Sequence, residues 1–425
     1  MLNLKRMRAA LISLLWIIPS ICFSQLLPVV ASPADVELGP QRLTRIDQLI
    51  NTYIEQQKIP GAVALIMRNG KVAYLKSFGV GDVNTGRPLK TDDIFRIASQ
   101  SKAVTSLAVM MLFEEGKFLL DDPVSRYIPE FANPKVLTGF NPDDSTYTTV
   151  KANRQITIRD LLTHTSGIDY AAIGSKEFTA IYAKAGVPSG IGNEGDRLGD
   201  KIKVLAALPL KHHPGERFTY GLNTDVLGYL VEVTSGMSLN EFFRQRIFEP
   251  LGMTDTYFYV PREKSNRVVT LHEVNNNKVV AVSHPVYDNV DPEYPKSKGT
   301  YYSGGAGLSS TIEDYARFLQ LFLNKGEFNG NRLLSRKTVE LMLTLQTREP
   351  ISNQFGLGFG LETENNDHRS IVSLGTFSWG GAFSTSYWAD PREQIIGLLY
   401  TNMYNHPFGD IHDKFKTLTY QSVDD

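Results

Sequence analysis

The sequence is almost free of cysteine. Its 425 residues contain a single one, Cys22, which lies in an apolar N-terminal segment of the kind that is removed during export. A mature protein without cysteine forms no disulfide and has neither a thiolate nucleophile nor a cysteine-ligated metal. Its stability must come from an ordinary hydrophobic core, for which a chain of this length with 42% hydrophobic residues is large enough.

The chain also lacks an excess of either charge. It carries 44 Lys and Arg against 45 Asp and Glu, which gives a formal net charge of −1. This near balance gives no support for nucleic acid or an anionic membrane surface as a partner.

A long hydrophobic run occurs only at the N-terminus. After three basic residues, the run extends from Ala9 to Phe23 and is followed by small residues. This pattern predicts a secretory signal peptide over residues 1–31, cleaved after Ser24 or Ala31. An uncleaved membrane anchor is the alternative, although the run is shorter than the roughly 20 residues of a spanning helix. We therefore expect a periplasmic or secreted protein with no membrane span after signal removal.

Strand-like patterns cluster at both ends of the mature chain, and helical patterns fill its middle. Two β-rich runs joined across residues 68–70 predict a hairpin. Later strand-like runs are FGLGFGLE, SIVSLGT, AFSTSYWAD and EQIIGLLYTN. The predicted fold is α/β plus all-α: an antiparallel sheet flanked by helices and built from both chain ends, with an inserted helical domain. We expect α/β parts at residues 40–118 and 301–425, and the mostly helical domain at 119–300.

The stretch FRIASQSKAVTSLAVMML, from Phe95 to Leu112, contains a candidate nucleophile and a candidate base. Ser99 and Lys102 are three residues apart, so on a helix they share one face. A lysine that is desolvated among apolar side chains becomes a better base and can take the serine proton. The alternative is a helix-capping serine with a surface lysine. The apolar residues that follow, from Val104 onward, indicate a buried helix and favour the nucleophile.

Several longer stretches carry a resemblance to a known family. Besides Ser-x-x-Lys they are LLTHTSGI (Leu161–Ile168), PGERFTYGLNTDVLGYLVEVTSG (Pro214–Gly236) and GGAGLSSTIEDYARFLQLFLNKG (Gly304–Gly326). With them the chain resembles the serine β-lactamase and penicillin-binding-protein superfamily over about residues 43–418. It is similar to class C β-lactamases and most similar to family VIII carboxylesterases. The resemblance implies a β-lactamase/transpeptidase-like fold and an acyl-enzyme mechanism that needs neither a metal nor an organic cofactor.

The resemblance also implies a tyrosine beside the serine and the lysine. The matching residue is Tyr220, whose phenol would pass a proton between Ser99 and the leaving group. A core tyrosine with one hydrogen bond is the alternative. Lactamases have an asparagine two residues after this tyrosine, but Leu222 occupies that position here. Asn223, one residue further, is the candidate for holding a substrate amide.

A third signature lies on a strand and is usually Lys, a small residue and Gly in lactamases. The matching residues here are Trp379, Gly380 and Gly381, followed by Ala382. A lysine attracts the carboxylate of a penicillin or of a D-Ala-D-Ala peptide, whereas an indole offers an apolar face and one N–H. Trp-Gly-Gly resembles the esterase branch. The resemblance further implies that the backbone N–H groups of Ser99 and Ala382 form the oxyanion hole.

The histidines give weaker signals. His164, in the HTSG turn, is predicted to be a structural hydrogen-bonding residue and not a base. His212 and His213 are predicted to be loop residues, because no acidic-histidine pattern typical of a metal site accompanies them. The glycine-rich loop at residues 185–200 either borders the acyl pocket or is an ordinary solvated loop.

Together these features predict an exported serine hydrolase, most simply a carboxylesterase acting on short- to medium-chain esters. A β-lactamase, a D-Ala-D-Ala carboxypeptidase or a transacylase is the enzymatic alternative. A penicillin-binding sensor module that is acylated without turnover is the alternative from another class. The expected partner is a small-molecule ester or amide, and the sequence gives no indication of the oligomeric state.

Overall fold

The computed structural model describes residues 27–191, 195–287 and 289–424. The signal-peptide prediction falls mainly on residues 1–26, which lie outside the described residues. Within the described ranges, no helix combines the length and the apolar character needed to cross a membrane.

Strands occur along the whole described chain and vary greatly in length. Their bounds are β1 Gly61–Arg68, β2 Lys71–Asp82, β3 Arg87–Pro88, β4 Phe95–Arg96, β5 Lys135–Phe140, β6 Tyr147–Lys151, β7 His272–Asn275, β8 Lys278–Ala281, β9 Ser309–Ser310, β10 Glu327–Phe328, β11 Asn331–Arg332, β12 Gly360–Leu361, β13 Phe377–Gly381, β14 Thr385–Asp390 and β15 Ile395–Tyr400.

Helices lie between these strands and at both ends of the described chain. Their bounds are α1 Pro40–Glu55, α2 Ser101–Glu114, α3 Ile158–Leu162, α4 Lys176–Ala185, α5 Leu198–Ala206, α6 Asn223–Ser235, α7 Leu239–Phe243, α8 Glu249–Leu251, α9 Ile312–Leu323, α10 Arg336–Met342 and α11 Asp410–Tyr420.

The main sheet combines strands from both ends of the chain, as predicted. It has seven strands in the order β12-β13-β14-β15-β1-β2-β3, and each neighbouring pair is antiparallel. The predicted hairpin across residues 68–70 is the β1–β2 pair. These observations confirm the predicted fold class.

Strand β1 shows why the sheet needs helices on both faces. Its eight residues are all buried, because successive side chains point to opposite faces and each face is covered. Val63 and Leu65 join the core that contains α2 and α9. Ala64 and Ile66 join a second core with apolar residues of α1 and α11. The nearly continuous apolar sequence of this strand therefore reflects burial from both sides.

The region from 119 to 300 contains the expected helices, α3 to α8, but also two hairpins. One is formed by β5 and β6 and the other by β7 and β8. The exact domain boundaries stay a prediction.

One of the predicted C-terminal strands is wrong, and another is much shorter than its pattern. SIVSLGT (370–376) forms turns, in which Gly375 has a φ of 89° and Ser373 N–H donates to Asp390. FGLGFGLE (355–362) contributes only β12, since Gly358, with a φ of 97°, leaves the extended conformation. Alternating apolar residues predicted strands here, and glycine conformation interrupts them.

Candidate active site

Ser99 lies in a short 3-10 turn, Ala98–Gln100, that leads directly into α2. Ala98 has a φ of 42°, an unfavourable value for a residue with a side chain. The turn is held by Ser101 Oγ, which donates to Ala98 O at 2.6 Å, and by Tyr315 OH, which donates to Gln100 O at 2.8 Å. A strained turn that its surroundings fix is typical of a functional position.

Lys102 is buried in the first turn of α2, with only 2% of its surface exposed. Its Nζ lies 3.3 Å from Ser99 Oγ, 2.7 Å from Tyr170 OH and 2.8 Å from Gly305 O. These three oxygens match the three donors of an ammonium group. The geometry excludes the surface-lysine alternative and places an amine within hydrogen-bond distance of the serine hydroxyl.

Tyr170 is a site residue that the sequence analysis missed. Its ring is buried, and burial, followed by the neighbouring Tyr220, raises its pKa well above 10, so the phenol stays neutral. It follows LLTHTSGI by two positions, so that stretch was the available signal. The short contact to Lys102 makes Tyr170 a direct partner of the amine.

Tyr220 lies beside the same amine, as the resemblance implies. Lys102 Nζ is 4.6 Å from the centroid of its ring, and the ring is 5.3 Å from that of Tyr170. Its hydroxyl accepts a hydrogen bond of 3.4 Å from Trp379 Nε1. The structure thus brings together Ser99, Lys102 and Tyr220, while the proton-transfer role of the phenol stays a prediction.

The structure does not place Asn223 with these residues. Asn223 is buried at the start of α6, where its Nδ2 lies 3.0 Å from His164 Nδ1 and its Oδ1 accepts from Ser166 Oγ. Because both ends of the amide are engaged inside the protein, it is not available to hold a substrate. His164 is buried too, and desolvation, with the charge of Lys102, lowers its pKa well below 6.5. A neutral, hydrogen-bonded histidine fits the structural role predicted for it.

The other two histidines singled out from the sequence also make structural contacts. His212 Nε2 lies 2.8 Å from Thr219 Oγ1, and His213 Nδ1 accepts from Asn153 N–H at 3.1 Å. Within the described part of the chain, no group of three or more His, Cys, Asp or Glu side chains is arranged to hold a metal ion.

Strand β13 carries Trp379, Gly380 and Gly381 along the site. The Trp379 ring lies 5.6 Å from the Tyr220 ring and 5.2 Å from the Phe355 ring. A Cβ on Gly381 would overlap the carbonyl oxygen of Ile97, two residues before Ser99. Glycine is therefore required where the strand approaches the serine turn.

A small cavity of about 30 Å³ opens beside Ser99. Its lining is mostly apolar and includes Ile173, Ile191, Tyr287 and Ala382. The loop at residues 185–200 borders this cavity through Ser189 and Ile191, while its role in an acyl pocket stays a prediction. The site therefore pairs a nucleophile with a small, largely apolar space.

Asp225 is a second residue that the sequence analysis did not single out. It is fully buried on α6, and its Oδ1 accepts from Ser303 Oγ at 2.7 Å and from Gly305 N at 3.4 Å. Burial raises its pKa, and the Ser303 bond and the charge of Lys102 oppose that effect. Asp225 thus fixes Gly305, whose carbonyl binds Lys102, and supplies a carboxyl close to the buried amine.

Comparison with known proteins agrees with this geometry. The profile of the Beta-lactamase family matches residues 46–420. An uncharacterized protein of Mycobacterium tuberculosis is 34% identical, with 80% of this chain and 85% of that protein aligned. Esterase EstB of Burkholderia gladioli is 30% identical over 84% of this chain and 90% of its own.

Comparison with a solved structure also indicates similarity to a hydrolase. EstCE1, described as a hydrolase with promiscuous acyltransferase activity, superposes with a TM-score of 0.78 and is 26% identical, over 89% of this chain and 99% of its own. The resemblance that the sequence motifs predicted is therefore confirmed. The chain belongs to the beta-lactamase family and is one of its serine hydrolases.

Proposed function

We propose that this chain is an exported carboxylesterase that forms an acyl-enzyme on Ser99 and acts on short- to medium-chain esters. The observation that carries the proposal is the contact between Ser99 Oγ and the buried amine of Lys102, beside a small apolar cavity. The esterase named among its relatives and the hydrolase with acyltransferase activity among its structural neighbours support it.

The reaction would proceed in two halves. Ser99 Oγ attacks the ester carbonyl while its proton passes to the group formed by Lys102 and Tyr220, and the backbone N–H groups of Ser99 and Ala382 stabilise the oxyanion. The same proton then goes to the leaving alcohol as the C–O bond breaks. In the second half a water molecule attacks the acyl-enzyme, gives a proton to that group, and Ser99 regains a proton as the acid leaves.

Two features favour esters over lactams. Trp379 stands where lactamases usually have a lysine, so the strand offers an indole N–H and a ring face instead of a cation for a substrate carboxylate. Asn223 is engaged with His164 and Ser166 and does not offer an amide to the substrate. An ester with a compact, uncharged acyl group needs neither contact.

The test compares a short-chain nitrophenyl ester with a chromogenic cephalosporin, using purified protein and the Ser99→Ala variant as control. We expect ester hydrolysis that the variant loses, and little turnover of the cephalosporin. Efficient cephalosporin turnover with negligible ester hydrolysis would favour the β-lactamase or carboxypeptidase alternative. Acyl transfer to an added alcohol, faster than hydrolysis, would favour a transacylase.

The sensor alternative is tested by following a fluorophosphonate or fluorescent penicillin on Ser99 and the time course of its release. A permanent penicillin adduct without ester turnover would favour the sensor. Export is tested separately by the mass of the protein recovered from a producing cell. We expect a mature N-terminus after Ser24 or Ala31 in the periplasmic or secreted fraction.

A further inference from the structure

The turn between β13 and β14 contains Ala382 and is fixed at an unusual residue. Ser384 has a φ of 56°, in the left-handed region that favours glycine. Its N–H donates to Gly381 O at 3.1 Å, and its carbonyl accepts from Thr401 N at 3.2 Å. A serine persists in this conformation only where its surroundings fix it. The contacts of its side chain therefore show what holds the turn.

The side chain of Ser384 bridges two histidines that the catalytic site does not use. Its Oγ lies 2.9 Å from His406 Nδ1 and 2.9 Å from His412 Nε2. The series of hydrogen-bonded groups continues at both ends: His412 Nδ1 lies 2.7 Å from Ser386 Oγ, and His406 Nε2 lies 3.2 Å from Lys58 O. We call these five groups the Ser384 chain.

When both imidazoles are neutral, the hydrogen bonds of the Ser384 chain run in one direction. The Lys58 carbonyl only accepts, so His406 carries its proton on Nε2 and its Nδ1 accepts from the Ser384 hydroxyl. The Ser384 oxygen then accepts from His412 Nε2–H, and His412 Nδ1 accepts from Ser386 Oγ. The two links in which an Nδ1 atom accepts require neutral imidazoles.

The surroundings keep the two histidines neutral at ordinary pH. Burial, followed by the charges of His406 and Lys416, lowers the pKa of His412 to about 3. Burial also lowers the pKa of His406, against the opposing effects of its bond to Lys58 O and of the Asp410 carboxylate. Both shifts favour the neutral imidazoles that this arrangement requires.

The Ser384 hydroxyl has a partner on each side, since it donates to His406 and accepts from His412. These two contacts hold the left-handed residue of the turn. Ala382 lies two residues before Ser384 and lines the cavity with Ser99, so a change in this turn reaches the site directly.

We propose that Ser384, His406 and His412 are positioning residues that hold the Ala382 N–H in place for the reaction at Ser99. The inference rests on the proposed function, because Ala382 acts there as an oxyanion donor. It extends that function to a part of the molecule that touches neither the substrate nor the reacting atoms.

The test measures kcat and KM with a nitrophenyl ester at pH 7.5. Loss of one oxyanion donor typically costs about 100- to 1,000-fold in kcat, so misplacement of one by Ser384→Ala should cost roughly tenfold, with KM nearly unchanged. Ser384→Gly removes the same hydroxyl but accepts the positive φ without strain, so it should fold well and lose a similar factor. Thermal melting shows whether each variant is folded.

The histidine variants provide the readout that a purely structural role would not change. His406→Phe removes one of the two partners of the Ser384 hydroxyl, so kcat should fall with KM nearly unchanged. His406→Asn can still accept through its Oδ1, so it should restore most of the activity. The matched control is Gln394→Gly, which relieves a φ of 53° in the β14–β15 turn of the same sheet and should leave kcat unchanged.

Two outcomes would overturn the inference. One is wild-type kcat in a folded Ser384→Gly protein; the other is wild-type kcat in a folded His406→Phe protein. The rate of fluorophosphonate labelling of Ser99 in the same variants tests the positioning role separately from the proposed esterase activity. Labelling also uses the oxyanion hole, so the variants should slow it even if the wild type hydrolyses no ester.

Discussion

At the scale of single residues, the site depends on how one buried amine is satisfied. Lys102 meets three oxygens, and only that of Ser99 was expected from the sequence. The spacing of Ser99 and Lys102 within one helical turn is local, so the sequence could predict it. Tyr170 and Gly305 reach Lys102 from 68 and 203 residues away. Such long-range contacts leave no periodic signal in the sequence.

Replacing Tyr170 tests the importance of its contact with Lys102. Tyr170→Phe keeps the ring and removes the 2.7 Å acceptor of Lys102. A buried group that loses a hydrogen-bond partner typically costs about 1–3 kcal/mol, so we expect kcat/KM to fall by about tenfold or more. Steady-state kinetics with a nitrophenyl ester measure this. Tyr74→Phe, which removes a buried hydroxyl bonded to Asp47 in the second core, is the control. Equal losses in both variants would contradict a specific role.

Asp225 allows charge and geometry to be separated. Asp225→Asn keeps an oxygen for Ser303 and Gly305 but cannot carry a negative charge near Lys102, so we expect kcat to fall by roughly tenfold with the fold intact. Asp225→Ala also frees Gly305, and its loss should be larger. Kinetics and thermal melting of both variants measure these effects. Wild-type kcat in Asp225→Asn would show that the charge is unimportant.

At the scale of elements, glycines decide where the strands approach the site and where they stop. Gly381 lets β13 lie against the Ile97 carbonyl, and Gly358 and Gly375 end strand patterns that the sequence appeared to continue. The family resemblance predicted that Trp379, Gly380 and Gly381 lie on a strand that lines the site. It could not predict which glycines have a positive φ, because that depends on the packing of the finished fold.

A pair of alanine substitutions on β13 tests this requirement. The Cβ of Gly381→Ala would overlap Ile97 O and Thr385 Oγ1, so the strand or the serine turn must shift, and we expect a kcat loss of about 100-fold or more, comparable with the loss of an oxyanion donor. Gly380→Ala, whose Cβ would lie 3.2 Å from Thr385 O, is the neighbouring control and should lose much less. Similar activities for the two variants would mean that the close approach at Gly381 is unimportant.

At the scale of the whole molecule, the sheet joins the two ends of the chain around a mainly helical middle. The apolar run of β1 and the Asn-Gly turn after it predicted the first hairpin well, since both signals are local. The pairing of β1 with β15 was inferred only from the clustering of strand patterns. The hairpins β5–β6 and β7–β8 were missed because their strands are short and partly exposed and so lack a clear apolar alternation.

The fold as a whole should lose stability in mild acid. Burial lowers the pKa of His272 to about 4, whereas in the unfolded chain it is near 6.5. As the pH falls below 6.5 the unfolded state binds a proton that the native state does not, so the free energy of unfolding decreases by about 3 kcal/mol at pH 4. Thermal melting between pH 4 and 8 measures this. A folded His272→Gln variant should show a shallower dependence, and parallel curves would contradict the assignment.

The central claim is that Lys102 makes Ser99 the nucleophile, and rapid-quench mass spectrometry of the protein with a nitrophenyl ester tests it most directly. We predict one acyl group on the peptide that contains Ser99. The acyl group either accumulates, because it forms faster than it is released, or is trapped by quenching at low pH. We also predict that Lys102→Met slows this acylation by orders of magnitude while the protein stays folded. Acylation at another residue, or at the wild-type rate in Lys102→Met, would contradict the account.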